Sequence, residues 1–210
     1  MTSEADRRLA LAEDARLRFS ALYERPASWD IDGPQPALLE LAGGFLSGRV
    51  LDAGCGSGEN ALALAARGLD VWGIDIVDSA IGRARAKAAA RGLPAARFLV
   101  GDALGLGELG MTFDAVLDCG LFHAFTDEER ALYRLGLEAV LPPGGRLALL
   151  GFSDRQAPET GGCPGPRRLG AHEFAAAFPT WRVLAVEPAR FLTRIHRGGA
   201  HAWRVRLERV

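Results

Sequence analysis

The sequence predicts an α/β fold in which a mostly parallel sheet carries helices on both faces. Beyond Gly48, short apolar runs alternate with helical segments, the signature of successive βαβ units. A glycine-rich turn, Gly54-Cys55-Gly56-Ser57-Gly58, leaves the first of those runs and enters a helical one. The 210 residues suit one domain with a substantial core and leave no room for a second.

Taken in order, residues 3–24 form a charged, weakly amphipathic helix that looks appended, ended by Pro26. Residues 26–36 are a turn-rich loop holding one large aromatic, Trp29, before a short helix over 37–42 closed by Gly43 and Gly44. The first strand spans 49–53 and its helix 59–67, stopped by Gly68. The second strand spans 70–76, followed by a helix capped by Asp78 that runs to Arg91 and stops at Gly92. The third strand covers 97–100 and the fourth 114–118. Thr126 with Glu129 then makes a capping box for a helix ending near Leu141. Pro142, Pro143, Gly144 and Gly145 turn the chain into a fifth strand over 146–151. The Pro/Gly-rich stretch 153–166 is a loop over the carboxyl edge of the sheet, a lid or substrate wall. A helix over 171–178 and two extended runs, 182–191 and 201–208, close the chain as a hairpin.

Composition narrows the function. The formal net charge is −1, so the chain offers no overall field to gather nucleic acid or an anionic membrane. Arginine does concentrate from Arg167 to Arg209, but it alternates along the expected strands and reads as a solvated face. Cys55, Cys119 and Cys163 are odd in number and follow no metal-ligand spacing, which implies reduced thiols and no metal site. No apolar run approaches the roughly 18 residues of a membrane span, and the charged N-terminus lacks a signal-peptide core. A soluble, cytoplasmic protein is expected.

The chemistry gathers at successive strand ends. Glycines at 54 and 56 let backbone approach a ligand closely. Asp75, with Ile76 beside it, lies about 20 residues past the turn, where a carboxylate accepts both hydroxyls of an adenosine ribose. Asp52 precedes the turn directly; it repels a pyrophosphate but attracts an ammonium. Asp102 follows the third strand, placed to accept from an adenine amino group while Ala103 offers its backbone. Asp118-Cys119-Gly120 follows the fourth, where the backbone around Cys119 can receive that same ammonium.

With these residues in place, segment 48–152 resembles a class I S-adenosylmethionine-dependent methyltransferase over about half of the chain. Trp29-Asp30-Ile31-Asp32-Gly33-Pro34-Gln35-Pro36, Asp118-Cys119-Gly120-Leu121-Phe122-His123 and Gly151-Phe152-Ser153-Asp154 are similar to a narrower branch. That branch holds the thiopurine, halide/thiol and mycobacterial heterocyclic toxin methyltransferases. The resemblance implies a Rossmann-like, seven-stranded sheet in the order 3-2-1-4-5-7-6 with strand seven antiparallel. It also implies S-adenosylmethionine as cofactor, a small heterocyclic acceptor methylated on O, N or S, and Trp29 packed over the cofactor. Residues 1–47 then form a helical lid segment, 48–152 the cofactor core, and 153–210 the substrate loop and hairpin.

His123 is the candidate catalytic residue, a general base or a substrate positioner facing the transferred methyl group. Phe122 and Phe125 are expected to make its surroundings apolar and keep it neutral. Phe122, Phe125 and Phe152 read as core more than as a substrate cage, and His172, His196 and His201 as bystanders. Methyl transfer from a sulfonium releases a neutral leaving group, so positioning in a dry pocket suffices and no triad is required. The alternatives are an NAD(P)-dependent oxidoreductase, which Asp52 and the glycine spacing disfavour, and an RNA or DNA methyltransferase, which only the arginine bias supports.

Overall fold

The computed structural model describes residues 4–24, 27–157 and 166–210. Pro26, Cys163 and most of the expected lid loop, positions 158–165, lie outside the described residues. Strands β1 (Arg49–Ala53), β2 (Asp70–Asp75), β3 (Ala96–Val100), β4 (Ala115–Cys119), β5 (Arg146–Phe152), β6 (Trp181–Phe191) and β7 (Ala200–Arg209) form one sheet. Their order is β3-β2-β1-β4-β5-β7-β6. The first five run parallel, and β7 lies antiparallel between β5 and β6, as the resemblance implies.

The helices are α1 (Glu4–Tyr23), α2 (Pro36–Leu39), α3 (Glu59–Ala65), α4 (Asp78–Ala90), α5 (Asp127–Val140) and α6 (Glu173–Ala177). Both faces of the sheet are covered, so β1 and β4 read as continuous apolar runs with single buried acids rather than as alternating strands. Val50, Leu117 and Leu150 pack on one side with Leu62 and Ile81 of α3 and α4. Leu51, Val116 and Leu149 pack on the other with Tyr133 and Leu137 of α5 and Phe174 of α6.

Three local readings change. Asp78 does not cap α4; it is the first helical residue, and Val77 occupies the cap position without a side-chain bond. The Ala80 and Ile81 amides donate to the Val77 carbonyl, and the Val77 amide itself donates to Asp75 Oδ1 of the strand end. Two 3-10 helices, Ala103–Leu109 and Phe122–Ala124, fill stretches that carry no periodic apolar pattern. The start of the expected loop is less irregular than read, since Ser153 bridges Leu169 beside β5, where Leu169 donates to Phe152 O and accepts from the Asp154 amide.

The capping box is present as read: Thr126 Oγ1 accepts from the Glu129 amide, and the Glu129 carboxylate accepts from the Thr126 amide. Thr126→Ala is expected to cost about 1 kcal/mol, the usual worth of such a cap. Chemical denaturation measures it, and an unchanged midpoint would mean that packing alone holds α5.

Candidate active site

The turn after β1 is tied to the end of β2 by a single carboxylate. The Gly56 amide donates to Asp75 Oδ2 and the Val77 amide to Asp75 Oδ1, each at 2.9 Å. Asp75 remains 9% exposed, and each oxygen keeps a lone pair for a further donor. Burial pushes its carboxyl above the ordinary range despite these backbone donors. Gly56 has φ +55°, which favours glycine, and a Cβ there would lie 2.6 Å from the Tyr23 hydroxyl and press it aside. Gly54 lies against the Leu121 side chain. Ile76 follows Asp75 and is half-buried.

Asp52 has no exposed surface; its Oδ2 accepts the Ala61 amide of α3 at 3.1 Å, and its Oδ1 has no hydrogen-bond partner. Burial pushes its carboxyl up to about 7, with the charges of Asp118 and Asp75 adding to the effect. Asp118, inside β4, accepts the Leu121 and Phe122 amides and is pushed up by burial to about 6. Burial of both carboxyls favours their neutral forms, and a cation placed at Asp52 Oδ1 would favour the carboxylate. Asp102 Oδ1 caps the 3-10 helix by accepting the Leu104 amide, and its Oδ2 stands 3.5 Å from Arg8 Nη1. Ala103 beside it is buried, and Cys119 ends β4 half-buried, its thiol pushed up by burial.

Far from being appended, α1 lies across this acidic rim. Arg8 reaches Asp102 and Glu108 at one end, and Tyr23 sits on the glycine turn at the other. Trp29 meets Tyr23 and Phe19 edge-on at centroid distances of 5.9 and 6.5 Å and donates to the Tyr23 hydroxyl at 3.4 Å. The Trp29 loop also joins the two halves of the site. On the glycine-turn side, Ser57 Oγ donates to Asp30 Oδ1 and accepts from Lys87. On the hairpin side, Arg194 donates to the Ser28 and Asp30 carbonyls, and the Gln35 amide exchanges two hydrogen bonds with the backbone of Leu192, both at 2.8 Å.

His123 lies beyond Gly120, in the 3-10 turn after β4, and is 5% exposed. Its apolar neighbours are not those its sequence position suggests. Phe122 packs among Phe174 and Phe178, and Phe125 against Tyr133, on the opposite face of the sheet. The ring of His123 instead meets Phe152 edge-on at 4.9 Å and stacks on Phe191 at 5.9 Å. Phe152 also touches His196 at 5.8 Å, so a residue expected to be a bystander belongs to this aromatic group. Burial, and behind it the charge of Arg130, pushes the His123 imidazole down to about 3, so it is neutral at pH 7.

The sheet thus brings Asp52, Gly54, Gly56, Asp75, Asp102, Cys119 and His123 to one edge, with Trp29 beside them. Tyr23 and Phe191 escaped sequence reasoning, because nothing in their local pattern separates them from ordinary helix or hairpin residues; Asp30 and Ser57 lay inside quoted motifs without a role of their own, and His196 was read as a bystander. The C-terminal arginines are largely engaged within the protein: Arg182 pairs with Glu208, Arg204 with Glu40 and Glu187, and Arg209 donates to the Glu138 and Leu141 carbonyls. No described helix is long and apolar enough to cross a membrane.

Residues 50–145 match a family model described as a methyltransferase domain. The 2-heptyl-1-hydroxyquinolin-4(1H)-one methyltransferase of Mycobacteroides abscessus is 34% identical over 171 residues, 80% of this chain and 74% of that protein. Probable thiol methyltransferase 2 of Arabidopsis thaliana is 29% identical over 180 residues, 80% of this chain and 78% of its own length. A solved structure described as "Conversion of a Disulfide Bond into a Thioacetal Group during Echinomycin Biosynthesis" superposes with a TM-score of 0.80. That chain is 35% identical, with 92% of this chain and 91% of the other covered.

Proposed function

The chain belongs to the class I S-adenosylmethionine-dependent methyltransferases, and from that premise we propose that it methylates an O, N or S atom of a small aromatic or heterocyclic molecule in the cytoplasm. Family membership sets aside the nicotinamide reading. The observation that carries the acceptor class is the group of rings at the carboxyl ends of β4, β5 and β6, where His123, Phe152, Phe191 and His196 stand beside Gly120. Flat apolar walls with few polar groups suit a flat acceptor. The relatives act on a hydroxyquinolinone and, by its name, a thiol, which supports the same class.

The donor site fits S-adenosylmethionine. The unpartnered, buried Asp52 Oδ1 is an acceptor waiting for a cation, and the glycine turn holds backbone where a Cβ would obstruct. In this reading Asp52 and the backbone at Cys119 hold the α-ammonium, and Asp75 with Ile76 holds the ribose. Asp102 and Ala103 hold the adenine once Arg8 yields its place, and Gly54 and Gly56 admit the methionine moiety. S-adenosylmethionine supplies an electrophilic methyl group on a cationic sulfur. The protein's share is to hold the acceptor within about 3–3.5 Å of that methyl and to exclude water. Residues 1–47 serve as the cover, 48–152 as the cofactor core, and 153–210 as the acceptor side. Internal pairing of the C-terminal arginines favours a small molecule over nucleic acid.

A panel of phenols, N-hydroxy heterocycles, thiols and halides with methyl-labelled cofactor tests the proposal. Label should enter one of the first three classes; label in tRNA or DNA alone would overturn it. Trp29→Ala is expected to weaken cofactor binding, since its ring is set in the loop that bridges both halves of the site. If the variant's melting temperature falls equally with and without cofactor, Trp29 is packing and no cover.

A further inference from the structure

The hydrogen bonding of His123 decides which role its imidazole can play. Its Nδ1 lies 2.9 Å from the backbone nitrogen of Phe152, whose N–H can only donate. Nδ1 must therefore carry a lone pair, and in the neutral ring the proton sits on Nε2. Nε2 makes no hydrogen bond among the described residues, and it approaches within 3.3 Å of where a Cβ on Gly120 would stand. Gly120, at φ +78°, leaves that space open and lies between Cys119 and Leu121, whose side chain covers Gly54 of the cofactor turn. The imidazole thus directs an N–H, and not a lone pair, into the space between the cofactor turn and the aromatic walls.

Building on the methyl-transfer reading, we infer that His123 is a fixed hydrogen-bond donor through Nε2–H to an acceptor that arrives already ionised, and not the base that takes its proton. To act as a base, Nε2 would have to lose its hydrogen and Nδ1 gain one, which would set two N–H groups against each other at the Phe152 amide. The ring is also held against tilting, by the edge of Phe152 on β5 and the face of Phe191 on β6. The charge that acts on it is Arg130 of α5, which disfavours a second proton, and His196 faces it from across Phe152.

The transfer balances without the imidazole gaining or losing a proton. A lone pair of the acceptor's anionic oxygen or sulfur forms the new bond to the methyl carbon, and the carbon–sulfur electrons leave with the cofactor's sulfur as a neutral thioether. A donor at this place binds the anion in preference to the neutral acid and so lowers the acceptor's pKa in the site. The acceptors selected are accordingly N-hydroxy heterocycles, acidic phenols or thiols, and not aliphatic alcohols.

Two measurements test this. Nitrogen-15 spectra of histidine-labelled protein, with His123 assigned by its absence in His123→Gln, should show protonated Nε2 and bare Nδ1 from pH 6 to 9. A proton on Nδ1 overturns the inference, and this readout needs no turnover. With saturating cofactor above pH 7 and phenols of graded acidity, kcat/KM should rise through each phenol's own pKa with no further limb from the protein, while the kcat midpoint lies lower. His123→Ala should lose more than tenfold in kcat/KM and return the kcat midpoint toward that of the free phenol. His123→Gln, whose amide both accepts and donates, should keep activity within about threefold of wild type. Equal loss in both variants, or a protein limb that vanishes with the imidazole, overturns the donor role. If nothing in the acceptor panel is methylated, the functional reading falls while the spectra still decide the tautomer.

Discussion

Asp75→Ala is expected to weaken S-adenosylmethionine binding by at least about tenfold, because two ribose hydroxyls lose a charged acceptor and such bonds contribute about 1.5–3 kcal/mol each. The variant should also lose stability without cofactor. The same two oxygens hold the Gly56 and Val77 amides, which are left unsatisfied in the variant at a cost of about 1–3 kcal/mol for each one that stays buried. The two effects separate in calorimetry run well below the melting temperature, where folded protein is titrated directly. An unchanged dissociation constant there would remove Asp75 from the cofactor site whatever happens to stability.

The second large effect is a pH dependence of cofactor affinity. Without cofactor, burial holds Asp52 up to about 7 and Asp118 up to about 6, so both are neutral acids at pH 5. A carboxyl whose folded pKa is raised contributes stability that is present below the ordinary carboxylate range and lost as pH rises through the folded value. The cofactor-free protein should therefore soften between about pH 4 and 7. An ammonium beside Asp52 favours the carboxylate, so binding below pH 7 must expel that proton. The dissociation constant should fall by up to about tenfold per pH unit from 5 to 7 and then level off. The cofactor-induced rise in melting temperature should grow over the same window. Asp52→Asn, which carries no such proton, should flatten the curve and bind more weakly at neutral pH. A flat wild-type curve would mean that the proton stays on Asp52 when the cofactor binds.

The two predictions depend differently on the structure. That Asp52 and Asp75 flank a glycine turn at strand ends follows from the chain's own alternation, since an apolar run, a turn with Gly54 and Gly56, and a helical stretch are all local patterns. That both Asp75 oxygens already carry backbone donors, and that Asp52 Oδ1 carries none, required coordinates. Helix α1 shows the opposite extreme. Its apolar stripe is too weak to assign a buried face, and only the position of Tyr23 over Gly56 and Arg8 beside Asp102 reveals it as part of the site.

By itself, then, the sequence determined the strands and the α-helices between them, their parallel βαβ succession, the capping box of Thr126 and Glu129, and the acids at the strand ends. Each depends on residues within a few positions of one another, where propensity, periodicity and capping act without reference to the rest of the chain. The tertiary structure alone decided the surroundings of His123. Phe122 is its neighbour in sequence, yet the 3-10 turn sends the two rings to opposite faces of the sheet. The residues that hold the imidazole come from β5, which pairs with β4, and from the end of β6, the edge strand beyond β7. A tautomer is set by the one hydrogen bond that the ring's other nitrogen makes, and here that partner is a backbone amide that no local pattern in the chain could point to.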